Sequence, residues 1–278
     1  MSRLISVNDI KPDDLSSYVV LFASMTNPVT GKADDPNEGF LPGAIKFDLD
    51  GEGSDHSSAL PHTLPAPESL AVLLGQLGVS NHSNIIVYDN LGMFSAPRLW
   101  WMLKSLGHKN VAVLNGGLPA WKVAGYPVTS TLSSRPPVSY QPVVTTGWFC
   151  NSDAVLKAIE VATPLILDAR SAGRFNGIAP EPREGLRSGH MPGAFNVPFN
   201  DLLDVGLALK PVSTLKQFFK EQGIDISQPL LCSCGSGVTA CIVGLAALEA
   251  GAKSVTVYDG SWSEWGGEHA FPVETCNA

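Results

Sequence analysis

The residues best suited to covalent chemistry lie together in Pro229-Leu-Leu-Cys-Ser-Cys234-Gly-Ser236-Gly-Val-Thr239. Leu230 to Ser233 is a short apolar run of the kind that forms a buried strand. Ala240 to Ala250 is apolar almost all round, as in a buried helix stopped by Gly251. Between them, Cys234 to Thr239 is a turn with glycines at 235 and 237. A cysteine at this junction faces the unpaired N–H groups and positive end of a helix, and the glycines let the backbone curl into an anion-binding nest. Such surroundings favour thiolate over thiol, so the spacing predicts a nucleophile at Cys234. The alternative is a buried structural cysteine, the common state of a free thiol. The glycine turn at a strand-to-helix switch point, where open α/β sheets bind ligands, argues against it. Spacing excludes three other loops. A cysteine phosphatase needs an arginine where Ala240 stands, a serine-hydrolase elbow needs glycine where Cys234 stands, and a thioredoxin motif needs Cys-x-x-Cys where this chain has Cys232-Ser-Cys234.

The elements that must hold this turn belong to a globular chain. Its 278 residues are 44% hydrophobic and 16% charged, enough for one large or two ordinary domains with a substantial core. A net charge of −8 argues against nucleic-acid or anionic-membrane partners. No apolar run has transmembrane length and no signal-peptide pattern opens the chain. Five cysteines without framework spacing fit a reducing compartment, so the expectation is a cytoplasmic protein. No Cys/His spacing fits a metal site, and none is expected.

Strand-like runs (Tyr18–Ala23, Ile45–Leu49, Asn84–Tyr88, Val111–Leu114, Leu165–Asp168) alternate with helical stretches (Glu68–Leu77, Ala96–Leu106), which predicts parallel sheets covered by helices on both faces. The pattern occurs twice. Leu106-Gly107 through Asn115-Gly116 matches Ala250-Gly251 through Asp259-Gly260 at a constant offset of 144, and Trp121 matches Trp265. Leu41-Pro-Gly-Ala matches Met191-Pro-Gly-Ala. The expected organisation is a first domain over residues 1–133, an extended Pro/Ser/Thr-rich linker over 134–147, and a second domain over 148–278. The position matching Cys234 in the first copy is Asp89, in a turn one residue longer, so that copy reads as catalytically silent. His82 and His108, in polar turns, read as solvated, and His190 as a structural histidine.

Cys-Gly-Ser-Gly-Val-Thr resembles the active-site loop of the 3-mercaptopyruvate sulfurtransferases, within the two-domain rhodanese family. The likeness runs from Leu41-Pro-Gly to Asp259-Gly-x-Trp-x-Glu-Trp265, and includes Asp168-Ala-Arg-Ser-Ala-Gly-Arg174-Phe, Glu181-Pro-Arg183 and Gly189-His-Met-Pro-Gly-Ala194. The resemblance implies two tandem rhodanese-like α/β domains, with catalysis in the second. It implies that Arg174 and Arg183 hold the carboxylate and keto oxygen of an α-keto acid, a role that a forked guanidinium suits. It places Gly235, Gly237, Val238 and Thr239 around the substrate. For the arginines, the alternative is surface solvation or an ion pair with Glu181 or Glu184; Asp168 and Arg170 read as a structural pair.

The same resemblance implies a relay of Ser236, a histidine and an aspartate. Its histidine matches His62 in His62-Thr-Leu-Pro65 and its aspartate matches Asp50 in Phe47-Asp-Leu-Asp50, with His56 and Asp55 as neighbouring substitutes. Such a relay would take the proton of the donor thiol. Otherwise Ser236 is only a small residue in a tight turn and His62 an exposed one. The implied activity is transfer of sulfur from 3-mercaptopyruvate, through a Cys234 persulfide, to cyanide or a thiol such as reduced thioredoxin, with release of pyruvate and no cofactor. Two rivals stand. Thiosulfate sulfurtransferases resemble one another in a cationic Cys-Arg-Lys-Gly loop, which Gly235 and Ser236 replace here. A non-enzymatic persulfide carrier would not need the two arginines.

Overall fold

The computed structural model describes residues 2–27, 30–267 and 270–276. The chain divides into two compact units. Unit 1 takes the residues up to Asp55, Leu64–Thr146 and Asp204–Leu209; unit 2 takes His56–Thr63, Gly147–Leu203 and the residues from Lys210.

Unit 1 contains β1 (Leu4–Ile5), β2 (Val19–Ser24), β3 (Ile45–Asp48), α1 (Pro67–Gln76), β4 (Ile85–Tyr88), α2 (Ala96–Ser105), β5 (Val111–Leu114) and α3 (Gly117–Val123). Unit 2 contains β6 (Phe149–Cys150), α4 (Ser152–Val161), β7 (Leu165–Asp168), α5 (Ala172–Phe175), β8 (Phe195–Asn196), α6 (Val212–Glu221), β9 (Leu230–Ser233), α7 (Ala240–Ala250), β10 (Val255–Tyr258) and α8 (Ser261–Trp265). The two five-stranded sheets have the same topology, β1-β5-β4-β2-β3 and β6-β10-β9-β7-β8, with every pairing parallel. Every residue of β4, β5 and β9 is buried, so each sheet is covered on both faces, as a parallel sheet requires. Of α7 only Glu249 is not buried, and Gly251 ends the helix with a left-handed φ of 114°.

The equivalence of the halves extends to single hydrogen bonds. Trp121 Nε1 donates to Pro127 O at 2.8 Å, and Trp265 Nε1 donates to Pro272 O at 2.8 Å. Trp121 packs on Tyr126 and Trp265 on Phe271. Phe22 pairs with Tyr88 in one sheet, and Asp168 with Ser233 in the other. The short edge strands β1 and β6 are absent from the periodicity, because two residues carry no alternation.

The residues expected to be a linker are extended, and they are laid over unit 1. Val138, Val143 and Thr145 donate to the carbonyls of Gly75, Leu106 and Ser105 at 2.9–3.0 Å. Gly75 permits this approach, since a Cβ there would stand 2.5 Å from Val138 O. The strap also corrects the reading of His108 as solvated. That residue is 2% exposed, with Nε2 2.9 Å from Ser83 O and Nδ1 3.2 Å from the hydroxyl of Tyr140. Its sequence neighbours are polar, but Tyr140 is brought over it by a segment more than thirty residues away.

Candidate active site

Cys234 follows β9 directly and is 1% exposed. Its turn is held from one side by the start of α8. Trp262 N donates to Cys234 O at 2.9 Å and Ser263 N to Gly235 O at 2.8 Å. Ser263 Oγ donates to the same Gly235 O at 2.6 Å. In a trans peptide the C=O and N–H point in opposite directions. Binding the carbonyls of Cys234 and Gly235 to α8 therefore turns the N–H groups of Gly235 and Ser236 the other way. Gly237 continues the curl with φ 76°. Among the described residues, the N–H groups of Gly235, Ser236, Val238 and Thr239 donate to no protein acceptor. That leaves an anion-binding nest beside the thiol.

The first copy shows what such a turn does when it carries its own anion. Asp89, 1% exposed, accepts hydrogen bonds from the N–H groups of Leu91, Phe94, Ser95 and Ala96 at 2.8–3.0 Å. Burial pushes its carboxyl upward and these four donors pull against it. The carboxylate fills the cradle, and an aspartate has no nucleophilic sulfur.

Ser236 is 3% exposed, and its hydroxyl lies 2.9 Å from Nδ1 of His62. His62 adopts a left-handed φ of 57°. It lies in the segment His56–Thr63, which belongs to unit 2 although the flanking chain belongs to unit 1. Asp50 belongs to unit 1, where Oδ2 accepts from Thr26 N at 2.7 Å.

The two arginines differ in their attachment. Glu181, its side chain 1% exposed, accepts from Nε and Nη2 of Arg174 and from Nη1 of Arg170 at 2.7 Å. Arg170 is also paired with Asp168 at 2.6 Å and lies over the Trp262 ring. Two carboxylates and two guanidinium groups thus form a neutral buried quartet, and Arg174 keeps only its outer edge for a ligand. The Nη2 that Glu181 holds also lies close to the turn: a Cβ on Gly235 would stand 3.3 Å from it. Arg183 is half-buried, and among the described residues its hydrogen bond is from Nη1 to Ser263 Oγ at 3.3 Å. Burial lowers its pKa, Arg174 adds to that, and Cys234 and Glu181 act in the opposite direction.

Cys150, Cys232 and Cys241 are poor candidates for the chemistry, and Cys276 is exposed. Burial pushes Cys232 far above the usual thiol range and Cys150 up to about 12. Cys241 donates to Gly237 O at 3.3 Å. His190, 7% exposed, stacks on Phe175 with Nδ1 2.9 Å from Phe175 O, as a structural histidine should. Sequence reasoning did not single out Ser261 and Ser263. They occupy the open positions of Asp259-Gly-x-Trp-x-Glu-Trp265, and two hydroxyls alternating with tryptophans in a buried motif were the available signal. Ser261 has φ 48°, matching Gly117 at 51° in the first copy. Its hydroxyl accepts from Cys234 N at 3.2 Å and donates to Tyr258 O at 2.8 Å, which offsets the strain of a left-handed serine.

A rhodanese-like domain model matches residues 29–124 and 151–268. A 3-mercaptopyruvate sulfurtransferase of Escherichia coli is 42% identical over 242 residues, covering 85% of this chain and 83% of the relative. A thiosulfate/3-mercaptopyruvate sulfurtransferase of Arabidopsis thaliana is 38% identical over 286 residues, covering 95% and 82%. The crystal structure of SseA from Escherichia coli, described as showing the fold and mechanism of 3-mercaptopyruvate sulfotransferases, superposes with a TM-score of 0.82 at 35% identity, covering 94% of this chain and 99% of that one.

Proposed function

The chain belongs to the rhodanese family, and on that premise we propose that it is a 3-mercaptopyruvate sulfurtransferase working through a persulfide on Cys234. The observation that carries the reading is the Ser236–His62 hydrogen bond of 2.9 Å, one residue beyond the glycine that follows the nucleophile. A thiol donor has a proton to lose, and thiosulfate has none.

In the first half-reaction the Cys234 thiolate attacks the donor sulfur. The S–S bond forms as the C–S bond breaks, and its electron pair leaves on pyruvate as the enolate. The donor's thiol proton passes through Ser236 and His62 and ends on the enolate carbon, giving pyruvate. Arg183 and the outer edge of Arg174 bind the donor's carboxylate and keto oxygen, and the N–H groups of the turn stabilise the charge on sulfur. In the second half-reaction cyanide, or the thiolate of an acceptor such as reduced thioredoxin, takes the outer sulfur and returns Cys234 to thiolate. All five cysteines are outside disulfides, which supports a cytoplasmic setting.

Mass spectrometry after exposure to 3-mercaptopyruvate alone is the direct test. One sulfur should appear on the peptide that contains Cys234, and Cys234→Ser should lose both the adduct and turnover while keeping its fold. Turnover retained in that variant would refute the assignment.

A further inference from the structure

We propose that Ser263 is a positioning residue for the donor half-reaction, coupling Arg183 to the turn that carries the nucleophile. The inference rests on the sulfurtransferase reading above. The hydroxyl of Ser263 donates to Gly235 O at 2.6 Å and accepts from Arg183 Nη1 at 3.3 Å, so one side chain, 8% exposed, touches both parts of the site. It is the only hydrogen-bond acceptor for Arg183 among the described residues, whereas Arg174 is fixed by Glu181. A guanidinium on a long flexible stem loses binding free energy to rotamer entropy unless something holds it, and this hydroxyl is what holds it.

The contact with Gly235 has a second effect. The Gly235 carbonyl receives both the backbone N–H and the hydroxyl of Ser263. This orients the peptide that joins Gly235 to Ser236, and the Ser236 N–H points into the nest as a result. Arg183 and the nest are thereby set at a fixed separation, one for the donor's carboxylate and the other for the sulfur.

The duplication supplies an internal control. At the offset of 144 that relates Trp121 to Trp265, the counterpart of Ser263 is Pro119. Proline has neither an N–H nor a hydroxyl to donate. The neighbouring contact survives without them: Leu118 N donates to Asp89 O at 3.0 Å, as Trp262 N does to Cys234 O at 2.9 Å. The fold thus needs the Leu118/Trp262 contact in both copies, and the double clamp occurs only in the copy with the thiol.

The test is a double-mutant cycle with Ser263→Ala and Arg183→Gln, together with Ser263→Thr, which keeps the hydroxyl. Steady-state kinetics with 3-mercaptopyruvate should show Ser263→Ala raising KM about three- to tenfold, the scale of one weakened hydrogen bond to a charged group, with a smaller fall in kcat. Ser263→Thr should restore KM to within about twofold. In the Arg183→Gln background, Ser263→Ala should change KM by less than about twofold, because the group it positions is gone. An unchanged KM in Ser263→Ala would overturn the inference, and so would effects that multiply independently in the double variant. Folding of each variant is checked by its thermal midpoint. Failure of the wild-type protein to turn over 3-mercaptopyruvate at all would instead refute the sulfurtransferase reading. The same cycle would then be read on pyruvate affinity by calorimetry, where coupling between Ser263 and Arg183 for an α-keto carboxylate supports the inference and its absence overturns it.

Discussion

Building a cationic loop into this site should change which sulfur donor it prefers. The variant replaces Gly235 by Arg and Ser236 by Lys, so that the turn reads Cys-Arg-Lys-Gly. Mercaptopyruvate is a monoanion at its carboxylate and thiosulfate a dianion, so each new cation acts on one additional charge. Two unit charges about 4 Å apart interact by about 1 kcal/mol in water and about 4 kcal/mol near a protein surface. The structure sets the gain towards the low end. A Cβ at position 235 would stand 3.3 Å from Arg174 Nη2, and Glu181 holds Arg174 in place, so the new guanidinium must extend away from a like charge. The second effect acts in the same direction. Losing Ser236 removes the 2.9 Å contact with His62, which on the proposed mechanism serves a donor that must lose a proton and is irrelevant to one that carries none. Together they should move the ratio of kcat/KM values towards thiosulfate by more than tenfold, or about 1.4 kcal/mol of differential transition-state binding. Both donors are assayed side by side at low ionic strength and again with added salt, which should shrink the charge contribution. If both activities fell together and left the ratio unchanged, turn charge would not set donor choice.

Three further outcomes follow from the same geometry. Arg183→Gln should raise the KM for 3-mercaptopyruvate at least about tenfold with little loss of stability, whereas Arg174→Gln should also cost about 1–3 kcal/mol of stability, because buried Glu181 keeps Arg170 and loses its second partner; paired kinetics and urea unfolding separate them. Asp89→Ala should destabilise unit 1 by about 3 kcal/mol or more, since four backbone donors lose a buried carboxylate, seen as a lower unfolding midpoint. Burial holds His108 below its ordinary value of 6.5, so on acidification the unfolded chain takes up a proton there before the folded one does. Its contribution to stability is present above 6.5 and is lost as pH falls through and below that value; His108→Gln should flatten the dependence of the thermal midpoint on pH between about 5 and 7.

The central strands and the helix Ala240–Ala250 were legible because hydrophobic runs bounded by glycine state their own limits. The duplication was legible as a repeated spacing, and the place of Cys234 as a buried cysteine between a strand and a glycine turn. What the chain did not disclose were contacts set by tertiary placement. Nothing local to Ser263 says that its hydroxyl meets a carbonyl 28 residues away. Nothing near His108 announces Tyr140. From sequence, Glu181 and Glu184 are equal alternatives as ion-pair partners of Arg174 and Arg183, because a sequence cannot show that one carboxylate bridges two guanidinium groups. Burial and bridging depend on which segments the fold brings together, and polar residues in loops carry no periodicity from which to read it.

The Asp89 cradle also bears on the energetics of turnover. A turn whose N–H groups converge is most stable with negative charge at its centre. In unit 1 the acceptor at that centre, the Asp89 carboxyl, is covalently part of the chain, so this half resembles a holoprotein whose ligand never leaves. On the proposed mechanism the equivalent turn in unit 2 carries its charge on the sulfur of Cys234, as thiolate at rest and as persulfide when loaded. One turn geometry thus serves two ends, a fixed internal acceptor in one half and a reactive anion, lengthened by one sulfur when loaded, in the other.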